Sequence, residues 1–327
     1  MYFIDLYIEL VWRLSEFVFL CVCFGGRIFI FLGDHDMNNK YLKYLLNNNP
    51  NEVLSSFGVR LRRIINPFIR SYVAPLTSKN KYHIENKIVL NSDRPIIFAG
   101  THGLKDDIAL GLHASDLHTY VLFASLPDFF GTLDGPALWA NGVILFNRKD
   151  KKSRNSAVPK MKKAIELGAN ILMFPEGTLN KTENLIVQKL FPGIYNLAKE
   201  TNALIIGIAM IQEGKNVYAK LCEPIDVADF NLHDGLIIIR DTLATAKYEL
   251  MEKYSHITRE SIKDIKGYWK KFISDLESTM LPFYDYEIEY SSQYIDKNII
   301  EHCDAFAHLK AINPTIKSAF LLNKRLK

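Results

Sequence analysis

The chain has 327 residues, is 48% hydrophobic and carries a formal net charge of +4. That is enough apolar sequence for one large core with terminal additions, and too small a charge to point to a nucleic-acid partner. Four cysteines, Cys21, Cys23, Cys222 and Cys303, match neither a disulfide framework nor a zinc site, which fits a reduced, cytosolic setting.

Residues 1–33 are mostly apolar but are interrupted by Asp5, Glu9, Arg13, Glu16 and Arg27. The uncharged run 17–26 is shorter than a bilayer span, the start is acidic, and no small-residue cleavage site follows. Two readings stand: an amphipathic or partly re-entrant membrane anchor, or upstream sequence ahead of a start at Met37. Asp34-His35-Asp36 reads as a solvated turn rather than a metal cluster. In 51–73, apolar residues recur at spacings of three and four among Arg60, Arg62, Arg63 and Arg70, which predicts an amphipathic helix kinked or divided at Pro67. Such a helix either lies in a membrane interface with its arginines on phosphates, or packs on the domain with its arginines in water.

From 84 to 221 strand-like and helix-like segments alternate. Strands are expected at 96–99, 120–124, 143–146, 171–174, 204–211 and 217–221, and helices at 156–167 and 191–201. The alternation predicts an α/β fold, a mainly parallel sheet with crossover helices. An N-terminal amphipathic helix flanks it on one side and a helical C-terminal extension on the other. The expected segments are 1–36 (apolar), 37–83 (helical, interfacial), 84–232 (core) and 233–327 (mostly helical). The stretch 284–290 is acidic and aromatic, and 324–327 is basic.

Three blocks carry chemistry. In Ala99-Gly-Thr-His-Gly-Leu-Lys-Asp-Asp-Ile108, a buried strand runs into a tight turn bearing His102, with Asp107 about one turn into the following helix. A carboxylate at that spacing can hold one imidazole nitrogen while the other takes a proton from an alcohol. Taken alone, the pattern reads more readily as His102 capping the helix and Asp107 favouring its N-terminal dipole. In Gly142-Val-Ile-Leu-Phe-Asn-Arg148, a strand delivers Asn147 and Arg148 to the edge where open parallel sheets bind ligands. Arg148 offers a fork of donors suited to phosphate, although this stretch taken alone reads more readily as a solvated basic loop. In Ile171-Leu-Met-Phe-Pro-Glu-Gly-Thr-Leu-Asn180, another strand ends in a turn, where Gly177 permits close backbone approach and Glu176 and Thr178 can bind a polar ligand or simply form the turn.

His-x4-Asp, Gly-x4-Asn-Arg and Phe-Pro-Glu-Gly-Thr, in this order over roughly 91–224, resemble the glycerolipid acyltransferase family. Its best-known members are the 1-acylglycerol-3-phosphate acyltransferases. The resemblance implies His102 as general base and Asp107 as its orienting partner. It also implies Asn147, Arg148, Glu176, Gly177 and Thr178 around the acceptor, with no metal and no cofactor. Acyl-CoA or acyl carrier protein is the implied donor, a lysophospholipid the acceptor, and the cytoplasmic face of a membrane the location, in peripheral or monotopic attachment. The chain departs from the family pattern at Leu104 (often Ser), Leu179-Asn180 (often Arg-Ser) and Gly207 (usually Pro). These departures leave open a lipid acceptor lacking a phosphate. The sequence is also compatible with a catalytically silent membrane-binding member of the fold and with a thioester hydrolase.

Overall fold

The computed structural model describes residues 23–24, 27–28, 35–73, 80–89, 92–124, 129–131, 134–180 and 186–255. The expectations for Cys21, Cys303, 284–290 and 324–327 lie outside them, as does most of 1–33, where only the short antiparallel pair Cys23–Phe24 and Arg27–Ile28 is described. In chain order the main elements begin with helices α1 (His35–Asn47), α2 (Pro50–Val53) and α3 (Ser56–Phe68). Next come β1 (Lys81–Ile84), β2 (Ile96–Gly100), α4 (Asp107–Ser115), β3 (Thr119–Ala124), α5 (Asp134–Asn141) and β4 (Val143–Phe146). The series ends with α6 (Lys151–Glu166), β5 (Asn170–Met173), α7 (Gly193–Thr201), β6 (Leu204–Glu213), β7 (Asn216–Leu221) and α8 (Leu232–Tyr254). The expected α/β class is borne out: parallel pairing dominates and helices connect the strands.

The chain divides into two compact units, one of residues 1–69 and 118–169, the other of 70–117 and 170–327. In the second unit the strand order is β1-β7-β6-β2-β5. All neighbours are parallel except β6 and β7, which form a hairpin through Gly214. Every residue of β2 is buried, because it is paired on both edges and covered on its faces. Helix α8 packs on β6 and β7 through Ile239, Leu243, Ala246 and Leu250. Gly207 makes that approach possible: a Cβ there would lie 2.8 Å from Cys222 Sγ and 2.9 Å from Leu243 Cδ2.

In the first unit β3 and β4 pair in parallel, with α6 against both. The 51–73 region is divided at Leu54 and Ser55, not at Pro67. Ser55 Oγ accepts the Gly58 N–H at 3.1 Å and starts α3 afresh, while α3 runs through Pro67 into a π turn at Ile69–Val73. An N-cap side chain thus sets the break. The arginines make protein contacts as well. Arg62 donates to the Trp139 carbonyl at 3.1 Å and stacks over its ring, and Arg63 donates to the Gly168 carbonyl at 2.6 Å. The outward face of α3 carries Phe57, Ile64 and Phe68, which are 60%, 77% and 46% exposed, with Arg60 beside them.

Lys160 of α6 is buried, and its ammonium donates to the Leu45 and Leu46 carbonyls at 2.8 and 2.9 Å, capping the C-terminal end of α1. Burial lowers its pKa from 10.5 to about 8. Below about 8 the lysine is charged in both folded and unfolded chains, so the full cost of burying the charge is present. Between 8 and 10.5 the unfolded chain binds more protons, so stability rises with pH. Denaturant titrations from pH 7.5 to 10.5 should therefore show an upward slope that Lys160→Met removes. Parallel slopes in the two proteins would contradict this reading of the cap.

Candidate active site

The second unit gathers His102, Asp107, Glu176, Gly177 and Thr178. Strand β2 ends at Gly100, and the chain turns sharply. Thr101 is held by both its backbone and its side chain: its N–H donates to the Ile208 carbonyl at 3.0 Å and its Oγ1 accepts the Met210 N–H at 2.9 Å. His102 follows on a loop rather than inside a helix. Asp107 is the first residue of α4, not one turn in, because the loop extends through Lys105 and Asp106 before the helix starts. The inferred contact still forms: His102 Nδ1 and Asp107 Oδ2 are 2.6 Å apart. Asp107 is only 2% exposed while the His102 side chain keeps 18% exposure. The carboxylate is thus shielded from water in the first turn of the helix. The Phe174 ring packs on the imidazole with centroids 4.7 Å apart. Gly100 permits this, since a Cβ there would lie 2.6 Å from Phe174 Cε1.

Beyond β5 the Phe-Pro-Glu-Gly-Thr turn comes under the same loop. Glu176 is 2% exposed, and both its oxygens are engaged by backbone donors. Oε1 accepts the His102 N–H and Oε2 the Gln188 N–H, each at 2.9 Å. Burial raises its pKa, opposed first by Lys247, then by the two backbone donors and by His102. Gly177 turns the chain with φ +70, and a Cβ there would lie 2.2 Å from the Phe191 ring, so both the backbone and the space call for glycine. Thr178 is 4% exposed, and its Oγ1 has no hydrogen-bond partner among the described residues. Leu179 and Asn180 point inward: Leu179 is buried, and the Asn180 N–H donates to the His102 carbonyl at 2.7 Å.

Asn147 and Arg148 lie in the other unit, just past β4. The Asn147 N–H donates to Ser153 Oγ at 2.8 Å, and its Oδ1 accepts the Lys149 N–H at 2.9 Å, which makes it the organiser of the turn into α6. The Arg148 carbonyl accepts from Arg154.

Sequence reasoning missed Gln188, which supplies a backbone donor, and Lys247 of α8. The first has no side-chain signal to find. The second had one: Lys247 stands among Leu243, Ala244, Ala246 and Leu250, a lone cation close to the apolar stripe of a helix.

Comparison with known proteins gives a family-model match over part of the chain and a distant structural likeness. Residues 81–211 match the Acyltransferase family model, which bears out the resemblance carried by the three sequence blocks. No curated protein matches the chain. Among solved structures, a 1-acyl-sn-glycerophosphate (LPA) acyltransferase, PlsC, from Thermotoga maritima is similar at 16% identity and a TM-score of 0.43, over 79% of this chain and 95% of that one.

The bracing by Glu176 is open to test without knowing the reaction. Glu176→Gln puts an amide NH2 opposite one of two backbone N–H donors and leaves that donor unpaired in a buried site. Unfolding in denaturant at pH 7 should show a loss of about 1–3 kcal/mol. Unchanged stability would remove the brace from the account.

Proposed function

We propose that this chain, whose residues 81–211 match the Acyltransferase family model, moves a fatty acyl group from a thioester to the hydroxyl of a lysophospholipid. The 2.6 Å contact between His102 Nδ1 and a buried Asp107 carries the reading. With Nδ1 committed to the carboxylate, Nε2 is the atom that takes the proton from the acceptor hydroxyl. The resulting oxygen attacks the thioester carbonyl and forms a tetrahedral intermediate. Collapse of that intermediate breaks the C–S bond and releases the thiolate, and the imidazolium returns its proton to the sulfur. Asp107 supports the imidazolium while the proton is held. The donor is acyl-CoA or acyl-ACP, and no metal or further cofactor takes part in this scheme.

The proposed acceptor is 1-acylglycerol-3-phosphate. Arg148 is the residue assigned to its phosphate, with Asn147 beside it, and the Glu176-Gly177-Thr178 turn to its polar head. The buried Thr178 hydroxyl without a partner supports this part, because such a group is satisfied when a ligand supplies one. With Leu179 and Asn180 turned inward, the cation that the family often carries after Glu-Gly-Thr is missing from this site. The acceptor's phosphate therefore depends more heavily on Arg148.

The enzyme is further proposed to sit on the membrane that holds its acceptor, at the cytoplasmic face and without crossing it. No helix among the described residues is long and apolar enough to span a bilayer. The exposed Phe57, Ile64 and Phe68 on α3, with Arg60 beside them, suit an interfacial contact.

Two sets of assays test these readings. His102→Ala should lower turnover of acyl-CoA with 1-acylglycerol-3-phosphate by at least about 10²-fold, and Asp107→Asn should impair it with the fold intact. Arg148→Ala should raise KM for the acceptor far more than for the donor, whereas an unchanged acceptor preference would take Arg148 out of phosphate binding. In flotation with phospholipid vesicles, replacing Phe57, Ile64 and Phe68 with Ser should release the protein. Full flotation of that triple variant would move the membrane contact elsewhere.

A further inference from the structure

Helix α8 lies beyond the segment that matches the Acyltransferase family, yet it brings a cation to the His102 turn. Lys247 Nζ donates to the Ile186 carbonyl at 3.1 Å. It stands 4.0 Å from the point where a Cβ on Gly103, the residue after His102, would sit. The same Ile186 carbonyl accepts from Asn180 Nδ2 at 3.2 Å, and the Asn180 N–H donates to the His102 carbonyl. One carbonyl thus joins α8 to the loop that carries the base.

Among the described residues, the charged groups that act on this ammonium are Glu176 from the turn after β5 and Asp107 from α4. His102, from the turn after β2, faces the same two carboxylates. Both carboxylates are 2% exposed. A cation near buried carboxylates offsets part of the cost of burying their charge.

We propose that Lys247 is a positioning residue: its ammonium balances the buried carboxylates of Asp107 and Glu176, of which one holds the His102 ring and the other its backbone. The role in catalysis rests on the reading of His102 as the base, but the charge balance does not. Burial lowers the pKa of Lys247, and Glu176 and Asp107 pull it back up. Burial raises Glu176, and Lys247 is the first influence that lowers it again.

Lys247→Gln keeps an N–H donor for the Ile186 carbonyl and loses the charge, while Lys247→Arg keeps both. Without the cation the folded-state pKa of Glu176 climbs further. The folded chain then holds a proton that the unfolded chain gives up above the ordinary carboxylate range, so stability drains away as pH rises. Melting temperatures of the full chain, measured from pH 5 to pH 8, read this directly. The gap between wild type and Lys247→Gln should widen by roughly 3 °C or more across that range, and the gap for Lys247→Arg should stay constant. A Gln variant folded at pH 5 and unfolded at pH 8 would be the same result in stronger form. A pH-independent deficit, as loss of a merely structural hydrogen bond gives, overturns the proposal. So does an Arg variant as perturbed as the Gln variant, or a Gln variant unfolded at both pH values. Melting needs no turnover: an inert wild type would sink the acyltransferase reading and leave Lys247 to be judged by its own curves.

Discussion

The site depends on one buried carboxylate. Glu176 accepts the backbone N–H of His102 with one oxygen and that of Gln188 with the other, and so ties the loop after β2 to the segment that leads into α7. A carboxylate makes short, strong bonds to such donors, and in a dry setting both are needed to offset its desolvation. The arrangement fixes the peptide of His102 before its ring is considered. Thr101, bonded to β6 by both its backbone and its side chain, fixes the residue before it. The Asn180 N–H takes the His102 carbonyl, so this residue is constrained at both its backbone polar groups.

With the backbone set, the side chain has little freedom left. Phe174 packs on the ring, and Asp107 takes Nδ1 from the first turn of α4. In the proposed reaction, an imidazole oriented in this way loses little entropy when it meets a substrate hydroxyl, which is how a rigid support contributes to rate. The glycines fit the same logic. Gly100 leaves room for Phe174, Gly177 for Phe191, and Gly207 for the helix that carries Lys247. Gly207 stands where the family usually has proline in this strand. Here its value is close approach: α8 can rest on β6 only if no side chain intervenes at that point.

Much of this was legible in the sequence. The six expected strands are all present within a residue or two, because buried parallel strands read as short apolar runs bounded by Pro or Gly. The edge strand β1 was not seen: Lys81-Tyr-His-Ile84 is half exposed and alternates too briefly to register. The His102 and Asp107 pairing was legible from spacing, although Asp107 opens the helix instead of sitting inside it. The inward turn of Leu179 and Asn180, and the hold on Glu176 by two backbone donors, were not legible, since main-chain hydrogen bonds leave no trace in residue types. The arginines of α3 show the same limit from the other side. Their spacing suggested a charged surface, whereas Arg62 and Arg63 bond to carbonyls of their own unit.

In the proposed reaction His102 directs a lipid hydroxyl, not water, at a thioester. The most direct measurement is the stoichiometry of a single reaction mixture containing the purified chain, acyl-CoA and 1-acylglycerol-3-phosphate. Free thiol and acylated lipid are quantified together, with a parallel mixture lacking the lipid. The expected result is one acylated lipid per thiol released, and negligible thiol without the acceptor. Thiol released at the same rate with or without the lipid, and no ester formed, would contradict it.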